Sequence, residues 1–259
     1  MAEQRLLRYL STLARRGDPL VIALSGGVDS AVLAAVLGRS GNTLTDRVFA
    51  ITVTSDMAFA RDVHAAERVA KSASLDHILL PVPLLHDERI SNNGPDRCYW
   101  CKRAMFTAMR HRFGDRAVIM DGTNAEDNPE RPGIRASREL GIHSPLAGCG
   151  LGKEHVLEMA SRFVSPSRNN PPDSCRATRI MTGNPLSPQL LAMVEDLENR
   201  VIAAGFHNVR LRVDELMITI RYSQNGEGIS DSLRSCAHGL AAAHGDRQVV
   251  FSPWEPCHA

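Results

Sequence analysis

Three stretches of this 259-residue chain have residue types and spacings that could do chemistry. The first is Leu24-Ser25-Gly26-Gly27-Val28-Asp29-Ser30. The paired glycines let a backbone turn tightly and approach a ligand without interference from a Cβ. The N–H groups so freed, with the N-terminus of a following helix, make a site for an anion such as phosphate. Ser25 and Ser30 add hydroxyls. Asp29 is an acid among phosphate binders, which makes sense when Mg²⁺ accompanies the phosphates. A Walker A loop is excluded, because no Lys-Ser/Thr pair follows the last glycine. The second stretch is Arg97-Cys98-Tyr99-Trp100-Cys101-Lys102. Two thiols at this spacing on a helix start can face one ion, and the cationic neighbours favour thiolates. By itself the pair fits half a zinc site, a redox pair, part of an iron–sulfur site or two incidental cysteines. The third is Cys175 in Ser174-Cys175-Arg176-Ala177-Thr178-Arg179, a thiol flanked by arginines in a polar segment.

These residues need a scaffold. Residues 19–24 form an apolar run that reads as a buried strand, and 28–37, rich in Ala, Val and Leu, as the helix after it. Residues 47–54, 77–82 and 117–121 read as further strands, with helices over 3–15, 59–72 and 98–113. Residues 86–97 lack periodicity and contain Asn92-Asn93-Gly94-Pro95, so a loop is expected there. Short helices are expected over 132–140 and 153–161, and a Pro- and Asn-rich loop over 165–173. The alternation predicts an α/β fold, a parallel sheet with helices on both faces. Ligands of such sheets bind beyond the carboxyl ends of the strands. The glycine loop, Thr54 and Gly122-Thr123-Asn124 all fall there. From Ser187 the pattern changes to helix 190–204, strands 209–213 and 215–221, helix 229–243 and strand 248–251. Residues 1–185 therefore read as a nucleotide-binding domain and 186–259 as a small α+β domain.

The glycine stretch resembles the SGGxDS loop of the PP-loop ATP pyrophosphatases, which split ATP between the α and β phosphates and adenylate a substrate oxygen. RCYWCK, DGTNAEDNPERPGIRASRELGIHSPL and SCRATR then follow in an order similar to that of the LarE family, PP-loop sulfur transferases of nickel-pincer nucleotide cofactor synthesis. The likeness runs from about residue 20 to about residue 215. The resemblance implies an adenine nucleotide alpha hydrolase-like fold that binds ATP through Ala23, Ser25, Gly26, Gly27, Asp29, Ser30, Thr54 and Gly122. It implies Asp29 and Glu126 at the reacting centre, with Asp127 nearby, and Arg131, Arg135 and Arg179 near phosphate or carboxylate. Some members of the family give up the sulfur of a single cysteine at the position of Cys175, leaving dehydroalanine. Others add a CxxC pair, and their three thiolates resemble holders of a 4Fe–4S cluster with one iron open to sulfide. With Cys98, Cys101 and Cys175, this chain resembles the second kind. The family's SCLASR-like segment carries Arg176 in place of Leu and Thr178 in place of the inner Ser, and its Trp-Asp-Lys-Pro is replaced by Arg168-Asn169-Asn170-Pro171. The implied reaction is adenylation of a carboxylate on a pyridinium dicarboxylate mononucleotide, followed by displacement of AMP by sulfur in a homo-oligomer.

Composition bounds the alternatives. A net charge of +1 offers no bulk argument for nucleic acid or acidic membranes. No run of about 18 apolar residues occurs, the amino-terminal region shows no signal-peptide pattern, and the six cysteines need no disulfide frame. A soluble cytoplasmic protein is expected. A tRNA thiolase would call for a basic surface or an RNA-binding module, and a glutamine-dependent amidating ligase for an amidotransferase domain. A non-catalytic nucleotide-binding or metal-storage protein on the same fold is the alternative of another class, separable by pyrophosphate release.

Overall fold

A computed structural model describes residues 1–14, 18–40, 44–45, 47–163, 175–223, 229–245 and 247–254. It divides into two compact units, Met1–Leu84 with Asp96–Ser167, and Leu85–Pro95 with Arg168–Ala259. The expected loop over 165–173, including Arg168-Asn169-Asn170-Pro171, lies outside the described residues, as does Cys257. Among the described residues no helix is long and apolar enough to cross a membrane.

The first unit opens with α1 (Ala2–Leu13), β1 (Leu20–Ala23), α2 (Val28–Ser40), β2 (Val48–Thr54), α3 (Ala60–Ser72) and β3 (Asp76–Pro81). After α4 (Glu88–Ser91), which belongs to the second unit, it continues with α5 (Arg97–Phe113), β4 (Val118–Met120), α6 (Pro132–Glu139), α7 (Pro145–Gly148) and α8 (Lys153–Phe163). The strands run parallel in the order β3-β2-β1-β4. Leu20, Val21 and Ile22 of central β1 are fully buried, as a strand covered on both faces requires. Every residue of α2 from Ser30 to Leu37 is buried, which explains why its sequence is apolar all round. It packs with Leu6 and Leu10 of α1 and Val156 and Met159 of α8. On the other face Phe106 and Met109 of α5 pack against Val21, Ile51 and Ile119. The expected α/β sheet is present, with helices on both faces.

The second unit contains α4, α9 (Pro188–Ala203), β5 (His207–Val213), β6 (Met217–Ser223), α10 (Asp231–Ala242) and β7 (Gln248–Pro253). β6 pairs antiparallel with β5 and parallel with β7. Val209, Leu211, Val213, Ile218, Ile220 and Tyr222 are its buried alternating residues. Part of 86–97, expected to be loop, is the short helix α4. Asp87 caps it by accepting the Arg89 N–H at 3.0 Å, a contact too local to leave a periodic signal. Residues 175–185, expected with the nucleotide-binding domain, pack in this unit instead: Met181 N–H donates to the Val213 carbonyl at 2.8 Å, and buried Asn93 donates its amide to the carbonyls of Met181 and Asn184.

Candidate active site

β1 ends at Ala23, and the glycine loop turns the chain into α2. Gly26 has φ +82°, and a Cβ there would collide with the Asp62 carbonyl, so only glycine fits. Ser30 organises the loop. Its hydroxyl accepts the Ser25 N–H at 3.2 Å, donates to the Gly27 carbonyl at 3.0 Å, and lies 3.2 Å from the Ser25 hydroxyl. Ser25 is exposed while Ser30 is buried, which leaves Ser25 facing solvent and makes Ser30 the internal clamp. Ala23 pairs with Ile51, and Thr54, at the end of β2, accepts the Val82 N–H.

The loop after β4 meets this turn. Asp121 is buried and gathers three donors: the Thr123 N–H at 3.1 Å, the Ser144 hydroxyl at 2.8 Å and the Ser137 hydroxyl at 3.2 Å. A Cβ on Gly122 would lie 2.7 Å from the Ser30 nitrogen, so the two loops touch through backbone. Beyond Gly122, buried Asn124 donates its side-chain amide to Asp29 at 3.0 Å. Burial raises the Asp29 pKa, the Asn124 bond opposes that, and the nearby Asp127 adds to it. Asp29 is thus a half-buried carboxylate held in one orientation at the turn into α2. Asn124, which the sequence places at the ligand end of the sheet, is the residue that orients it. Asp127 caps Asn124 through its N–H at 3.0 Å and meets Arg131 at 3.5 Å. Arg131 is exposed and stands just before α6. Glu126 accepts the Lys153 N–H at 2.9 Å and thereby caps α8; a Cβ on Gly152 would strike its carboxylate. It is exposed and lies on the same loop as Asn124.

α5 begins at Arg97, so Cys98 and Cys101 occupy its first two turns. Cys98 is exposed, with the Arg97 guanidinium 3.7 Å from its sulfur. Cys101 is buried, its thiol 3.8 Å from the Met57 sulfur. Gly133 lets the start of α6 lie against the Cys98 carbonyl, at 3.7 Å from where its Cβ would be. Arg135 bridges Asp96 and stacks over Tyr99, itself bonded to Glu139 at 2.5 Å. Among the described residues no three His, Cys, Asp or Glu side chains converge as a metal site.

Residues 3–107 match the asparagine synthase family. An uncharacterized protein of Methanocaldococcus jannaschii is 32% identical over 202 residues, 75% of each chain. An uncharacterized protein of Synechocystis sp. is 28% identical over 207 residues, 78% of this chain and 76% of that one. The pyridinium-3,5-bisthiocarboxylic acid mononucleotide synthase of Lactiplantibacillus plantarum is 26% identical over 200 residues, 74% of this chain and 70% of its own. The chain belongs to the LarE family. It is accordingly a PP-loop, ATP-using sulfurtransferase. The LarE segment that bears Cys175 is a 3₁₀ turn, Arg176–Arg179, in the second unit. Cys175 is half-buried, and its carbonyl accepts both the N–H and the hydroxyl of Thr178. Arg179, implied near a ligand's phosphate or carboxylate, grips the carboxylate of Glu198 instead: Nε lies 2.8 Å from Oε1, and both side chains are fully buried. Glu198 also accepts the Leu211 N–H at 3.0 Å, and Arg176 meets Glu195 at 3.0 Å. The turn is therefore pinned to α9 at two points, a function of Glu195 and Glu198 that their three-residue spacing could have suggested. Asp214 is a turn acid, accepting the N–H groups of Leu216 and Met217.

Proposed function

We propose that this LarE-family chain uses ATP to activate a carboxylate of a pyridinium dicarboxylate mononucleotide and replaces one carboxylate oxygen with sulfur. The carboxylate oxygen attacks the α-phosphorus, pyrophosphate departs, and a sulfur nucleophile then attacks the acyl carbon and expels AMP. Adenylation is needed because a carboxylate oxygen is otherwise a poor leaving group. The observation that carries this reading is the Asp29–Asn124 contact at the turn into α2, within a chain 26% identical to a synthase named for the bisthiocarboxylic product. Asp29 would hold Mg²⁺ on the phosphates, with the loop N–H groups and Ser25 facing the anion and adenine against Ala23 and Thr54.

For the sulfur, the chemistry of the donor set suits an iron–sulfur cluster: Cys98, Cys101 and Cys175 would supply soft sulfur ligands, and Arg97 beside Cys98 would offset negative charge. Cys101 would have to turn from Met57 to join them. When bound, such a cluster supplies an iron site for sulfide. ATP and reduced thiols both suit the cytoplasm.

The test is anaerobic. The protein, reconstituted with iron and sulfide, is given Mg·ATP and the dicarboxylated pyridinium mononucleotide. The expected results are AMP, a product with sulfur in place of oxygen, and about four irons per chain. The iron should be lost on Cys→Ala at 98, 101 or 175 and retained on Cys→Ala at 149 or 236. ATP binding with no pyrophosphate release would favour a non-catalytic nucleotide binder. Dehydroalanine at Cys175 without bound iron would overturn the cluster and show a sacrificed thiol.

A further inference from the structure

We infer that His77 is a positioning residue for the ATP chemistry, acting through Thr52 on the peptide that opens the phosphate loop. This rests on reading that loop as the ATP site. The Leu24 N–H donates to the Ile51 carbonyl at 2.7 Å, a rung just beyond the end of β1. The Leu24 carbonyl accepts the Thr52 hydroxyl at 2.8 Å. The N–H across the same peptide, that of Ser25, donates to the Ser30 hydroxyl at 3.2 Å. One peptide plane is therefore held by β2 on its carbonyl side and by α2 on its amide side.

Thr52 in turn is held by His77. His77 pairs in register with Ala50, two residues before Thr52, so the two side chains share a face of the sheet. The ring Nε2 lies 2.8 Å from the Thr52 oxygen. A hydroxyl has one proton. That proton goes to the Leu24 carbonyl, which can only accept, so the imidazole must donate from Nε2. The neutral ring then carries its proton on Nε2 and not on Nδ1. Burial lowers the His77 pKa, with Glu67 opposing, in keeping with a neutral ring. Thr52 is 4% exposed in the middle of an apolar strand. Valine has the same shape and needs no partner there, so a polar chain at this place serves something other than burial. Its end point is the peptide from which the loop N–H groups and Asp29 take their positions.

The test compares His77→Leu, His77→Gln, Thr52→Val and Thr52→Ser. In H77L and T52V, kcat for pyrophosphate release should fall about tenfold, while KM for ATP stays within about twofold. The donor-retaining H77Q and T52S should recover to within about twofold of the parent. The H77L/T52V double variant should be no slower than T52V, because both cut one chain. Equal losses in H77L and H77Q, an unchanged kcat in H77L with only a lower melting temperature, or additive losses in the double variant would each overturn the proposal. Nitrogen-15 NMR of the ligand-free protein at neutral pH should show His77 protonated on Nε2; an Nδ1–H ring overturns it independently of activity. A parent that releases no pyrophosphate would instead refute the ATP reading, and with it the catalytic part of this inference, while the tautomer is still decided by NMR.

Discussion

Asn124 and Asp29 are 95 residues apart in the chain and 3.0 Å apart in space. The amide of a buried asparagine holds a carboxylate that burial would otherwise push toward its neutral form. Asn124→Ala should leave Asp29 free to swing and lower kcat for pyrophosphate release by about tenfold or more. Asn124→Asp should be worse, since it sets a second carboxylate against the first. An N124D variant as active as the parent would show that Asp29 does not depend on this contact.

Asp29→Asn should abolish AMP and pyrophosphate formation while raising the melting temperature. The folded-state pKa of Asp29 lies above its ordinary value. The folded protein therefore binds more protons than the unfolded chain across that interval, and its stability falls as pH rises through it. At neutral pH the carboxylate carries that penalty and a neutral amide does not. Thermal melts without nucleotide, beside a coupled pyrophosphate assay, read both effects. A D29N protein with parental pyrophosphate release would remove Asp29 from the chemistry.

Gly26→Ala should cost about a hundredfold in pyrophosphate release. The residue sits at φ +82°, and the new methyl would meet the Asp62 carbonyl at the turn of α3. The backbone must move, and the loop N–H groups move with it. Gly141→Ala supplies the control: its φ is +65° with open space around it, so it should lose a little stability and keep its rate.

Arg179→Ala should destabilise the fold by about 3–5 kcal/mol, because it strands the buried Glu198 carboxylate. The double variant Arg179→Met, Glu198→Leu should recover most of that loss. Urea unfolding of the two decides it. If R179A unfolds like the parent and fails only in ATP or substrate binding, Arg179 serves a ligand rather than α9.

Much of the first unit was legible because its signals are local. Residues 19–24 announce a strand by continuous apolarity, Gly26-Gly27 announce a turn, and the Ala/Val/Leu run after them announces a helix buried on all sides. α4 was not legible, since a four-residue helix held by the Asp87 cap has no period to read. The family resemblance implies Glu126 as an acid at the reacting centre; its contact with Lys153 depends on α8, whose first turn lies more than twenty residues along the chain.

By itself the sequence determined the strand–loop–helix at Ser25–Ser30, the parallel sheet around it, the helix start at the CxxC pair and membership of the family. Each follows from residue types within a few positions of one another. Only the tertiary structure decided which long-range partners the polar groups take. Arg179 carries the same guanidinium whether it meets a phosphate or Glu198, and spacing cannot tell them apart; the approach of α9 to the 176–179 turn does. Asp29 needed Asn124 from another loop to gain an orientation, and His77, unremarkable in sequence, gained a partner only because β3 lies beside β2 in the register that pairs it with Ala50. Local propensity is written along the chain, whereas a hydrogen bond between distant residues exists only once packing has brought donor and acceptor within about 3 Å.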